Sequence, residues 1–136
     1  MMGLYCMKKI DNYLQAVSQL ETAVIAYQSN SNDALYRDGL IQRFEFSTEL
    51  AWKSLKDYLE DQGLSISMAS PRAVLKEAYA SGIVDDETVW NEILQARNLT
   101  SHIYDEKTAI TIADQICNHF MAAFRKLKSF YKNQEE

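Results

Sequence analysis

The sequence has little of what breaks or staples a chain. Among 136 residues there is one proline, Pro71, and only four glycines. That scarcity disfavours a β fold with many tight turns and favours long helices. The two cysteines, Cys6 and Cys117, stand far apart and belong to no CxxC or Cys/His pattern. Neither a zinc site nor a redox pair is therefore suggested, and two free thiols in a reducing cytosol are expected. No apolar run approaches the roughly 18–20 residues a membrane span needs, and the first residues lack the basic-then-apolar order of a secretory signal. The expected location is the cytoplasm, away from any membrane. Basic charge is also short: 14 Lys and Arg against 19 Asp and Glu leave a net charge of −5. A broad nonspecific grip on nucleic acid does not fit that balance, whereas a focal basic site does.

What is present is a soluble globular composition, with 47% hydrophobic and 24% charged residues. A compact chain of this size hides roughly two-thirds of the surface it would expose unfolded, enough for a core without disulfides. No repeat, low-complexity tract or Pro/Ser-rich linker divides it, so residues 1–136 read as a single helical domain. A first helix fits residues 8–29, where Ile10, Tyr13, Leu14, Val17, Leu20, Val24 and Tyr27 recur at three- and four-residue steps. The polar run 29–33 ends it and offers caps for a second, over 33–62, with Leu40, Ile41, Phe44, Ala51, Trp52, Leu55, Tyr58 and Leu59 on one face. Gly63 suits that helix's C-terminus, and Ser70-Pro71 opens a short helix that Gly82 closes. Asp85 starts a fourth, and Asp105 caps a fifth running to about Lys132 with a seam from Ala109 to Tyr131. The expected fold is all-α: an antiparallel up-and-down bundle of four main helices plus a short one.

The second helix also carries Phe46 and Leu50 opposite its main stripe. They require either another helix of the same subunit or a second copy of the chain. The chemistry concentrates elsewhere, in the run from Arg97 to Tyr104 between the fourth and fifth helices. Arg97 offers a permanent cationic fork for phosphate, and His102 can take or give a proton near neutral pH. Together they suit phosphodiester cleavage, with histidine activating a ribose 2′-hydroxyl or protonating the leaving oxygen and arginine stabilising charge on phosphorus. Tyr104 can orient a substrate or accept a group on its hydroxyl. On one continuous helix, however, the five steps from Arg97 to His102 make about 500° and leave the two side chains roughly 140° apart. An Arg/His site therefore requires the helix to loosen before His102 or a second subunit to contribute, and the Asp105 cap favours such a break.

Two blocks carry a resemblance that covers nearly the whole chain: RFEFSTELAWKSLKDYL from Arg43 to Leu59, and QARNLTSHIYDE from Gln95 to Glu106. Together they resemble the HEPN superfamily, specifically its nucleotidyltransferase substrate-binding branch, with the Arg-x4-His-x-Tyr pattern intact at Arg97, His102 and Tyr104 and a polar Asn98 after the arginine. The resemblance implies a homodimeric HEPN-like bundle that brings two motifs toward one cleft. It implies a minimal nucleotidyltransferase as partner, in several relatives as the antitoxin of a toxin–antitoxin pair. It further implies a metal-independent endoribonuclease using no cofactor, with Arg97 and His102 catalytic, Asn98 supporting and Tyr104 modified with AMP. A subunit that binds nucleotide or substrate without catalysis is the alternative, and a plain dimerisation module is the third.

Other residues invite blander readings. His119, beside Ile116 and Phe120, has no partner at a metal-ligand interval and reads as structural. Glu45 and Glu49 lie one turn apart near Lys53 and Lys56, which favours a solvated, charge-paired face over an acid pair. Arg125, Lys126, Lys128 and Lys132 interleave with Phe124, Phe130 and Tyr131 in a pattern that suits RNA but more simply suits a helix end packed on a core. Trp52 and Trp90 fall on apolar stripes and are expected inside.

Overall fold

The computed structural model describes residues 3–66 and 69–134. Among them all regular structure is helical: α1 (Leu4–Ser29), α2 (Ala34–Asp61), α3 (Pro71–Ala80), α4 (Glu87–Thr100), α5 (Glu106–Gln115) and α6 (Met121–Gln134), with a π-helical stretch, Ile116–Phe120, joining α5 to α6. The ends lie where polar caps and glycines place them. The carboxylate of Asp33 accepts from the Leu35 amide, Ser70 Oγ from the Ala73 amide and Asp105 from the Thr108 amide. For α4 the capping carboxylate is Asp86, one residue beyond the expected Asp85. Gly63 (φ 95°) and Gly82 (φ 78°) take the left-handed conformation that closes α2 and α3. At the first, the Leu64 amide reaches back to the Leu59 carbonyl at 3.0 Å.

α1 and α2 form an antiparallel hairpin. Lys9 near the start of α1 pairs with Asp57 near the end of α2 at 3.3 Å, and Arg43 donates to Gln19 midway along. α6 lies antiparallel to α1: Tyr13 meets Tyr131 edge-on at 5.7 Å between ring centres, and farther along α1 Glu21 pairs with Arg125, earlier on α6, at 3.3 Å. The core between these helices is aromatic: Phe44 of α2 stacks on Phe120 at 5.8 Å between ring centres and meets Phe124 edge-on at 6.0 Å, while Trp90 of α4 meets Phe124 at 5.4 Å. Full burial of such a side chain is worth about 1.5–3 kcal/mol. Trp90 is inside as expected, whereas Trp52 is only half-buried at the core's edge.

The last helix departs from the sequence reading in one respect, since the single helix expected from Asp105 onward contains the π-helical stretch. Buried Ile116, Phe120 and Phe124 follow one another by four residues, and on a 3.6-residue turn each such step drifts about 40°. The wider π turn takes up that drift and keeps all three facing the core. Leu50 packs against the core of its own chain, but Phe46 stays 53% exposed. Three of the four basic residues at the end of the bundle are occupied, Arg125 and Lys128 by Glu21 and Lys126 by Asp85, while Lys132 is exposed. Their neighbours Phe124 and Tyr131 are fully buried, as the simpler reading expects. No described helix is long and apolar enough to cross a membrane.

Candidate functional site

The Arg97–Tyr104 run spans the junction of α4 and α5. Arg97 occupies the last turn of α4, which ends at Thr100 with Ser101 as its cap. The backbone leaves the helix one residue before His102, whose amide donates to the Leu99 carbonyl at 2.9 Å and closes a tight turn. The continuous helix thus ends before His102, although Ser101 keeps right-handed helical angles (φ −74°, ψ −11°). Asp105 then caps α5 at its Thr108 amide, 3.2 Å away. Helix termination thus places His102 and Tyr104 on a short exposed bridge, and Tyr104 is 90% exposed. Among the described residues neither ring makes a side-chain hydrogen bond or ion pair. Asn98 is exposed on α4.

Arg97 is held differently. Its side chain is 27% exposed and its Nη1 donates to Glu45 Oε2 at 3.0 Å and to Thr100 Oγ1 at 3.2 Å. Thr100 Oγ1 is itself 2.8 Å from the same Glu45 oxygen. Arg97 Nε is buried without a hydrogen-bond acceptor, and the nearest carboxylate oxygen, Glu49 Oε1, is at 3.7 Å, an ion-pair distance too long for a hydrogen bond. Glu49 also faces Trp52 Nε1 at 3.3 Å and Lys53 at 3.9 Å. The structure therefore brings Arg97, Thr100, Glu45 and Glu49 together and leaves His102 and Tyr104 alongside without direct contact to the arginine.

Glu45 and Glu49 correct the sequence reading. They do not belong simply to a lysine-paired solvated face: Lys56 pairs with Glu60 at 2.8 Å, and Glu45 is the main partner of Arg97. The signal was available in angular form, since Glu45 lies only about 60° around the helix from position 48, where Thr48 is buried. Such a carboxylate sits at the rim of the buried stripe, within reach of a neighbouring helix. A second tie secures the far side of the junction, where buried Arg37 on α2 reaches Glu106, the first residue of α5, at 3.4 Å. α2 thus anchors both flanks of the motif.

His119 contributes to no such site. It is exposed on the π-helical stretch, 3.3 Å from Glu92 of α4, with its ring near Phe120. This fits the helix-flank role expected of it. Among the described residues no group of three or more His, Cys, Asp and Glu could hold a metal ion.

A protein of Haemophilus influenzae named "Probable ribonuclease HepT" is 35% identical over 81 residues. That match takes in 57% of this chain and 56% of the relative, so the chain spans little more than half the length of the curated relative it matches. Among solved structures, HI0074 of Haemophilus influenzae, described as revealing the fold of a substrate binding domain of a nucleotidyltransferase, superposes with a TM-score of 0.78 at 25% identity, covering 90% of this chain and 98% of that one. The tri-AMPylated HEPN toxin of Shewanella oneidensis, solved in complex with an MNT antitoxin, shares the fold with a TM-score of 0.76 at 16% identity, over 97% of this chain and 99% of that one. The family model described as "Nucleotidyltransferase substrate binding protein like" matches residues 8–133. With a match over nearly its whole length, this chain belongs to that nucleotidyltransferase substrate binding protein like family.

Proposed function

We propose that the chain is the HEPN subunit of a two-component system with a minimal nucleotidyltransferase, and that it acts in the cytoplasm as a metal-independent endoribonuclease of the toxin type. The observation that carries this reading is the end of α4 at Thr100, which leaves Arg97 anchored while His102 and Tyr104 stand on an open bridge beside it. His102 as general base takes the proton of a ribose 2′-hydroxyl, and the 2′ oxygen forms a bond to phosphorus as the bond to the 5′ oxygen breaks. The 5′ oxygen leaves with a proton from an imidazolium or from water. The products are a 2′,3′-cyclic phosphate and a 5′-hydroxyl. Arg97 faces the charge that develops on the phosphoryl oxygens, with Asn98 as a supporting polar group. A homodimer, with exposed Phe46 available to its interface, brings two such sites to one cleft. Residues 1–136 act as a single domain in this account.

Tyr104 gives the system its off state. The residue is 90% exposed, and transfer of AMP from ATP to its hydroxyl releases pyrophosphate and adds a phosphate whose charge competes with RNA for Arg97. The expected outcome is that co-expression with the partner nucleotidyltransferase adds AMP to the wild type and abolishes cleavage, whereas Tyr104→Phe takes no AMP and stays active. Arg97→Ala should cut no RNA in either setting, and full cleavage by that variant would remove the arginine from the mechanism.

One observation favours a second reading, a non-catalytic subunit that presents nucleotide or substrate to the nucleotidyltransferase. Arg97 faces two carboxylates, which opposes its use against a polyanion, and HI0074 is described as a substrate binding domain. On this reading His102→Ala weakens nucleotide binding and has no RNA phenotype.

A further inference from the structure

Glu45 is separated from Arg97 by 52 positions, yet its Oε2 receives both Arg97 Nη1 and Thr100 Oγ1. The guanidinium is planar and carries five N–H donors in a fixed fork. Glu45 meets Nη1 and Glu49 faces Nε from the other side of the planar group, and Nη2, which shares one edge with Nε and another with Nη1, is engaged by none of the described residues. An acceptor at Nη1 fixes rotation of the group and leaves Nη2 as the donor able to meet a phosphate. The same arrangement sets two negative charges against one positive, so it works against affinity for an anion. Glu45 is the stronger hold of the two, because Glu49 is farther from the guanidinium and shares its charge with Lys53 and the Trp52 N–H.

We propose that Glu45 is the positioning residue of the site: it orients Arg97 for the phosphoryl group at the expense of ground-state affinity for RNA. This rests on the reading that Arg97 meets a substrate phosphate. The role has a kinetic signature that mere structural support lacks. Removing the charge frees the arginine to turn, which lowers kcat, and removes a negative charge near the RNA phosphate, which lowers KM or leaves it unchanged.

The test compares wild type, Glu45→Gln and Thr100→Val, each free of AMP by intact mass. Glu45→Gln keeps the side chain's volume, and Thr100→Val removes the Thr100 hydroxyl's contacts with Glu45, with Arg97 Nη1 and with the Arg97 carbonyl, so one variant remains should the other fail to fold. Cleavage of a defined RNA gives kcat and KM, and the guanidinium nitrogen signals of Arg97 by NMR report its rotation directly. Glu45→Gln is expected to lower kcat at least about tenfold without raising KM, and to merge Nη1 and Nη2 signals that are separate in the wild type. Thr100→Val shifts both readouts in the same direction by less. A kcat within twofold of wild type, or a raised KM at unchanged kcat, overturns the proposal. Should folded, unmodified wild type cut no RNA, the endoribonuclease reading fails and the NMR comparison alone decides Glu45: merged signals in Glu45→Gln uphold its hold on Arg97, and unchanged signals overturn it.

Discussion

Ser54 and Tyr131 share one buried hydrogen bond, and the two ways of deleting it should differ in cost. Both residues are fully buried, their oxygens are 2.8 Å apart, and Ser54 Oγ also donates to the Ala51 carbonyl at 3.0 Å. The serine has one hydrogen and spends it on Ala51, so the tyrosine hydroxyl is the donor across the α2–α6 interface. Tyr131→Phe removes that donor and leaves the serine's own hydrogen satisfied, a loss of about 1 kcal/mol. Ser54→Ala leaves the phenol O–H buried without an acceptor, which costs about 1–3 kcal/mol. The phenol cannot escape by ionising, because burial pushes its pKa far above the ordinary tyrosine range despite the hydrogen bond to Ser54. The double variant strands nothing and should be no less stable than Ser54→Ala alone. Urea unfolding of the three variants, analysed as a double-mutant cycle, measures each step. A Ser54→Ala variant less destabilised than Tyr131→Phe would refute the assigned donor and the reasoning from it.

Two further outcomes follow from the charged and thiol groups. Burial raises the pKa of Glu21, but the hydrogen bonds and charges of Lys128 and Arg125 outweigh it, and the net shift is downward from 4.5. A depressed carboxylate stabilises the fold above its unfolded pKa, so the stability gap between wild type and Glu21→Gln should persist at neutral pH and close as pH falls below about 4.5; a gap that widens on acidification contradicts the assignment. Burial, with Asp61 and Asp57 adding to it, pushes the Cys6 thiol up to about 11, so alkylation of the native protein at pH 8, read by mass spectrometry, should leave Cys6 unmodified until denaturant is added.

The fold was legible because each boundary has a local cause. Asp33, Ser70 and Asp105 cap helices from their own side chains, and Gly63 and Gly82 adopt the one conformation that other residues avoid. The π-helical stretch was not legible, because its cause is the alignment of Ile116, Phe120 and Phe124 against helices remote in sequence. The same division holds at the site. Arg97, His102 and Tyr104 announce themselves by chemistry and spacing, and the cap at Asp105 indicated a break before α5. The angular position of Glu45 put it at the rim of the buried stripe, but its pairing with Arg97 depends on how α2 and α4 pack. Phe46 remains apolar and 53% exposed among the described residues.

The central claim is tested most directly by incubating AMP-free wild type and His102→Ala with RNA in excess chelator and analysing the ends produced. His102 is exposed with no side-chain partner among the described residues, so its removal should change stability by no more than about 0.5 kcal/mol, and any lost activity belongs to chemistry rather than folding. The account predicts cleavage by the wild type alone, leaving 2′,3′-cyclic phosphate and 5′-hydroxyl ends. Equal cleavage by both proteins, or none by folded wild type, would contradict it.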